Sequence, residues 1–278
     1  MRHEVSVLSA LYVLKFGGNA IRGREDMLRL SKEIAQMVSG GSKVILIHGG
    51  GPEISEEMER RGLTPRKVCG IRVTDERSLE VADIVLRRLN SEMTDCLREC
   101  GVNAVGMPGY MCSVCTRKPP MTVCEDGAEQ VVDPGLVGEV SDVDPTCLND
   151  LLAVNAVPVI YPIGKDADGN MLNVNADTMC AGIASHIGCT EMVAITDVPG
   201  ILTDVSDPSS KIDSLDLARV DELIADGTIS GGMIPKVEAC RQALLAGVDR
   251  VRMVNGKDQH SIVADIVSGG NHGTVITK

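Results

Sequence analysis

Three side chains suited to moving a phosphoryl group stand far apart in the chain: Lys15, Asp177 and Lys236. Lys15 interrupts the apolar run "LYVLKF" directly before Gly17 and Gly18, and a lysine is rarely buried without a partner. Lys236 follows "SGGMIP" at the start of a helical pattern, where a cation opposes the helix dipole unless it serves an anion. Asp177 ends the cluster Asn173, Asn175, Asp177, which holds more oxygens than one helix cap needs. A carboxylate between two lysines would orient both and hold them apart. Phosphoryl transfer depends mainly on such positioning and electrostatic stabilisation.

Glycines mark where an anion would sit. "KFGGNA" (15–20) and "HGGGPE" (48–53) each follow a β-rich run and lead towards a helix, and "SGGMIPK" (230–236) opens another. Glycine lets backbone N–H groups approach an anion, and a helix start adds a favourable dipole. Neither of the two standard nucleotide fingerprints is present. One glycine pair would be read as a tight turn; three clusters in a mostly parallel architecture favour a phosphate site.

The elements that must hold these residues alternate along the chain. Strands are expected at 11–16, 43–48, 103–107, 157–162, 191–196, 250–254 and 273–277, from short β-rich apolar runs. Helical spacing of apolar residues appears at 24–39, 75–100, 145–154, 177–187, 216–226, 233–246 and 258–267. Strand–helix alternation of this kind predicts an α/β fold with a parallel sheet, whose ligands lie beyond the carboxyl ends of the strands. Residues 109–140 mix Pro, Gly, Thr and Val with charges and read as hairpins or a flap. A seam between two lobes, 1–165 and 166–278, is expected near the turn at 164–173.

Bulk composition removes several classes of function. The chain has 278 residues, 44% hydrophobic and 24% charged, an ordinary globular balance. Its net charge of −12 and aromatic content of 1% argue against nucleic-acid binding, which needs basic faces and stacking platforms. No run is long and apolar enough to span a membrane, and the N-terminus does not read as a signal peptide, so a cytoplasmic location is expected. Cys96, Cys100, Cys180 and Cys240 fall in helical apolar patterns and read as buried small hydrophobes. Cys112, Cys115 and Cys124 have spacing that a zinc site or alternating strand positions would both explain; no fourth ligand is evident, and no metal is expected.

The segments "KFGGNA", "HGGGPEI", "GIRVTD", "LVGEV", "VPVIYPIG", "NVNADT", "TDVPGIL", "GGMIPKV" and "NGKDQHSI" together resemble the amino acid kinase family, over nearly the whole chain and in the family's order. "HGGGP" with "RVTD" and "NVNAD" is the pattern of the branch acting on N-acetyl-L-glutamate. The resemblance implies an open αβα sandwich with an acyl-substrate lobe and an ATP lobe. The implied reaction moves the γ-phosphoryl of ATP to the side-chain carboxylate of N-acetyl-L-glutamate, in arginine biosynthesis.

Residue by residue, the resemblance makes Lys15 and Lys236 the stabilisers of the transferring phosphoryl and Asp177 the organiser of both. It makes Gly17, Gly18, Gly49 and Gly50 the expected N–H donors. Gly50, Gly51, Arg72, Asn173 and Asn175 would meet the acyl substrate, with the Arg72 fork on a carboxylate. Thr196, Asp197, Pro199, Gly200 and Ile201 would bind the nucleotide. Mg2+ would arrive on the ATP phosphates and needs no protein cage. Asn255 and Lys257 depart from the family pattern, as does the cysteine-bearing segment 110–126. A homodimer without feedback inhibition by arginine is expected, because the ten residues before Leu11 are too short for a stable interlacing helix.

Overall fold

The computed structural model describes residues 10–17, 20, 23–125, 128–257, 266 and 273–278. The N-terminal arm, Gly18 and all but one residue of the expected helix 258–267 lie outside the described residues.

Chain order runs β1 (Leu11–Phe16), α1 (Gly23–Ser39), β2 (Lys43–His48), α2 (Gly51–Arg60), then a small hairpin of β3 (Lys67–Val68) and β4 (Ile71–Arg72). The long helix α3 (Glu76–Glu99) and β5 (Ala104–Pro108) follow. Four strands come next: β6 (Ser113–Arg117), β7 (Met121–Glu125), β8 (Ala128–Val132) and β9 (Val137–Val143). Helix α4 (Thr146–Ala153) leads to β10 (Val157–Tyr161), β11 (Ile163–Lys165), β12 (Met171–Val174) and α5 (Ala176–Ile187). The chain continues with β13 (Glu191–Thr196), β14 (Ser214–Asp216), α6 (Leu217–Ala225), α7 (Met233–Leu245), β15 (Arg250–Asn255) and β16 (Thr274–Thr277).

Eight strands form one sheet in the order β14-β16-β15-β13-β1-β2-β10-β5. Pairing is parallel from β15 through β5, and the β14–β16 edge runs against the rest through the antiparallel β15–β16 pair. The sheet is therefore mainly parallel. Central strands such as "KVILIH" are buried on both faces, which is why they read as unbroken apolar runs.

Alternation along each strand sorts the core into two layers. Leu14, Leu46 and Val193 pack with Leu30, Ile54 and Leu86 from α1, α2 and α3. Val13, Ile45 and Met192 face the other way, among Leu148, Ile183, Leu223 and Ala243 from α4, α5, α6 and α7. Helices thus cover both faces, the αβα arrangement expected. Of the strands in this sheet, those before residue 165 form the β1-β2-β10-β5 half and the later ones the other half.

Local chemistry explains the helix starts. Asp75 accepts a hydrogen bond from the Ser78 amide at 2.7 Å to open α3, and Asp216 caps α6 in the same way. The 109–140 segment is built of hairpins: β6 pairs with β9 and β7 with β8, both antiparallel. β9 also pairs with β12, in parallel, and β12 with β11, giving a second, four-stranded sheet. No described helix is long and apolar enough to cross a membrane.

Burial of the helical cysteines is uneven. Cys96, Cys180 and Cys240 are buried, but Cys100 caps the end of α3 and is half-exposed. Cys112 and Cys115 are both 1% exposed within an apolar cluster, and burial pushes the Cys112 thiol up to about 12. They sit in the core as protonated small hydrophobes. Cys124 lies on β7, in a different sheet from Cys115.

Candidate active site

A cleft of about 450 Å3 opens at the carboxyl ends of β1, β2 and β13. Lys15 stands near the end of β1, His48 ends β2 and Thr196 ends β13, as an open α/β sheet requires of a ligand site. Lys15, Gly17, Gly49, Gly50, Gly51, Arg72, Asn173, Asn175, Asp177, Thr196, Asp197 and Lys236 all line it.

Lys15 is 5% exposed and its Nζ lies 2.7 Å from Asp177 Oδ1. A cation at that depth needs such a partner, because a buried ammonium without one is expensive. Asp177 comes from the first turn of α5, whose cap is Asn175: its Oδ1 accepts from the Asp177 amide at 2.7 Å. Asn175 therefore shapes the turn, as expected.

The expectation that Asp177 orients both lysines is corrected here. Lys236 Nζ lies 3.5 Å from Asp197 Oδ1, and each of those side chains is 28% exposed. Each lysine has its own carboxylate because the two come from different elements, α5 for one pair and the loop after β13 for the other. Desolvation works to raise the Asp197 carboxyl, but the Lys236 charge, backbone and Lys236 hydrogen bonds and the Lys257 charge together hold it below the usual range.

Two of the expected N–H donors are also corrected. The Gly17 amide donates to Ile195 O at 2.9 Å and the Gly49 amide to Phe16 O at 3.1 Å, so both are engaged in the backbone. Gly17 serves by lacking a side chain: a Cβ there would stand 3.4 Å from Lys15 Nζ and 3.3 Å from Ile195 O. Gly50 precedes α2 and Gly51 begins it, where amides have no carbonyl of a preceding turn to reach. A Cβ on Gly50 would come within 2.7 Å of Leu89 Cδ1. Gly18 lies outside the described residues.

Arg72 is 7% exposed, and its guanidinium donates to Gly51 O and Ser55 Oγ, both at 2.8 Å. Among the described residues no carboxylate lies within 4.0 Å of it. Burial lowers its pKa, and burial with the nearby Arg72 charge lowers that of Lys67. Lys67 escaped the sequence reading. It faces Arg72 as its partner across the β3–β4 hairpin, whose turn residues Cys69 and Gly70 have φ of 48° and 78°. Positive φ at both positions is the primed turn that suits two-residue hairpins, and glycine at only one of them hides the signal.

Asn173 lines the cleft with its Nδ2 donating to Thr74 Oγ1 at 3.1 Å. The nucleotide loop divides. Thr196 and Asp197 line the cleft, whereas Pro199, Gly200 and Ile201 do not. Ile201 is buried in the core with its amide on Thr274 Oγ1 at 2.9 Å, which anchors the loop to β16.

The cleft carries the cations Lys15, Lys67, Arg72, Lys118 and Lys236 against Asp177, Asp197, Glu139 and Glu238. All four carboxylates are paired, Glu139 with Lys118 and Glu238 with Arg241. Lys67 and Arg72 are left uncompensated among the described residues, in a chain of net charge −12. Two such cations in one cleft suit an anionic ligand.

The sequence pattern of the amino acid kinase family matches residues 10–255, and the chain belongs to that family. Its relatives include acetylglutamate kinase of Methanosarcina acetivorans, 37% identical over 270 residues, 96% of this chain and 90% of that protein. Acetylglutamate kinase of Methanococcus aeolicus is 38% identical over 268 residues, 96% of this chain and 91% of its own length. The fold is also that of N-acetylglutamate synthase from Neisseria gonorrhoeae, solved with coenzyme A and L-arginine: TM-score 0.81, 22% identity, 97% of this chain and 61% of that one. Carbamate kinase from Giardia superposes with TM-score 0.70 at 16% identity, over 98% and 99% of the two chains.

Proposed function

We propose that the protein phosphorylates the side-chain carboxylate of N-acetyl-L-glutamate with ATP, giving N-acetyl-L-glutamyl 5-phosphate for arginine biosynthesis. The carrying observation is the buried Arg72 guanidinium, unmatched by any described carboxylate, in the same cleft as the Lys15–Asp177 pair and Lys236. Its relatives named acetylglutamate kinase support the choice of substrate.

Arg72 and Asn173 hold one carboxylate of the acyl substrate, beside the open helix start of α2 at Gly50 and Gly51. The side-chain carboxylate then points towards Lys15. One of its oxygens bonds to the γ-phosphorus while the bond from that phosphorus to the β-phosphate oxygen breaks, and the electron pair leaves with ADP. A carboxylate nucleophile carries no proton at neutral pH, so the step needs no general base. Lys15 and Lys236 offset charge spread over the transferred oxygens, and the Gly50 amide adds a donor. Asp177 fixes Lys15; Asp197 holds Lys236 until the nucleotide arrives.

Described residues include no group of three or more His, Cys, Asp or Glu able to hold a metal ion. Mg2+ would arrive with the ATP phosphates and neutralise part of their charge. A homodimer joined through α3 is the accompanying proposal, supported by the partly exposed Ile84 on that helix.

Purified protein should form ADP and a hydroxylamine-trappable acyl phosphate from free N-acetyl-L-glutamate and MgATP. Turnover only when the substrate is attached to a carrier protein would replace this function with that of a carrier-dependent sister kinase.

A further inference from the structure

His48 is buried at the end of β2 and makes two contacts through its ring. Nε2 lies 3.1 Å from Asn90 Nδ2, and Nδ1 lies 2.8 Å from Gly49 O. The proton positions follow from the partners. The Val159 carbonyl only accepts, so the Asn90 atom 2.8 Å from it is the amide nitrogen. Its second hydrogen faces Nε2, which must then be the bare acceptor nitrogen. In a neutral ring the proton is left on Nδ1, which donates it to the Gly49 carbonyl. Burial depresses the His48 pKa to about 4, so the ring is neutral under physiological conditions.

Asn90 is itself set by the fold. It projects from α3 onto the sheet, between His48 at the end of β2 and Val159 in the middle of β10, and a Cβ on Gly106 of β5 would come within 2.3 Å of its Oδ1. Glycine at that position keeps the space open. Thr94 Oγ1 donates to the Asn90 carbonyl at 2.7 Å.

The Gly49 carbonyl belongs to the same planar trans peptide as the Gly50 N–H, and the two point in opposite directions. A donor that pins the carbonyl on the buried side therefore turns the N–H away from that side. We propose that His48, locked in its Nδ1–H form by Asn90, is a positioning residue that holds the Gly49–Gly50 peptide with its N–H towards the transferring phosphoryl. This rests on the kinase function proposed above. Glycines on both sides of that peptide leave it otherwise free to flip, and its rotation would replace a donor with a carbonyl oxygen facing a phosphate.

The test compares two replacements. In His48→Asn the side-chain amide nitrogen can take the place of Nδ1 and donate to Gly49 O; in His48→Gln it reaches only the Nε2 position. His48→Gln should lower kcat on the order of 100-fold, as a small misplacement does, with KM for both substrates near wild type. His48→Asn should recover most of that loss at a similar melting temperature. Equal kcat in His48→Gln and wild type, or equal loss in both variants, would overturn the proposal. Should His48→Gln not fold, nitrogen-15 NMR of histidine-labelled wild-type protein decides. A neutral ring protonated on Nδ1 is the expected form, and protonation on Nε2 overturns the proposal. Wild-type turnover of N-acetyl-L-glutamate is measured alongside, so that failure of the kinase function is seen separately.

Discussion

On the β1–β2 side of the cleft Lys15, His48 and Arg72 are 5%, 4% and 7% exposed, whereas across it the side chains of Lys236 and Asp197 are each 28% exposed. The first side is fixed by the sheet. Its lysine pair closes at 2.7 Å, its histidine is locked by Asn90, and its arginine is fastened to α2 by two hydrogen bonds. The second side is a helix start and a loop joined by a 3.5 Å contact in partial solvent, where screening leaves little interaction energy. One half of the site is preorganised, and the other is completed by the ligand that bridges it. Such a division suits a two-substrate reaction in which the larger, more charged substrate needs room to enter and leave.

The two lysines give the hardest test of that contrast. Lys15→Ala should lower kcat on the order of 1,000-fold, the upper range for losing one preorganised donor. Lys236→Ala should lower it on the order of 100-fold with little change in KM for ATP. Steady-state kinetics that reversed the order would break the comparison.

Next in size is an effect on stability. The His48 pKa falls from 6.5 to about 4 on folding, so below pH 6.5 the unfolded chain takes up a proton that the folded one refuses. Stability should therefore fall between about pH 6.5 and 4, by about 3 kcal/mol from this residue alone. Urea denaturation at pH 7 and pH 4.5 should show a shallower acid loss in His48→Asn than in wild type; parallel losses would mean the ring is not held neutral by burial.

Arg72→Lys should raise KM for the acyl substrate by about tenfold while changing kcat less, because an ammonium cannot reproduce the guanidinium fork. An unchanged KM would remove Arg72 from the site. The smallest expected effect sharpens the comparison from the loose side. Asp197→Asn should change kcat by less than about fivefold, as part-exposed ion pairs contribute little. A loss as large as that of Lys236→Ala would show that the β13–α7 side is as rigidly organised as its opposite.

Much of this was legible before any coordinates. Buried parallel strands announce themselves as unbroken apolar runs, and α3 carries its apolar stripe and its Asp75 cap in plain view. Lys15 and Lys236 stood out beside glycines, Asn173 and Asp177 in a polar cluster ahead of a helix, and Arg72 through the family resemblance; all five line one cleft. The β3–β4 hairpin was not legible, since two residues per strand give no periodicity and Cys69 masks the turn. Lys67 was missed with it.

Sequence by itself determined the alternation of strands and helices, the family, and the residue types that meet an anion, because each depends on local pattern or on side-chain chemistry. Only the tertiary structure decided which carboxylate each lysine takes and which glycine amides remain open. Ion pairs form between elements far apart in sequence, and an amide's partner depends on the neighbouring strand. Gly17 and Gly49 look like donors until Ile195 and Phe16 are seen to hold them. The link from Asn90 through His48 to the Gly49 carbonyl likewise exists only where α3 packs on the face of the sheet beside the end of β2.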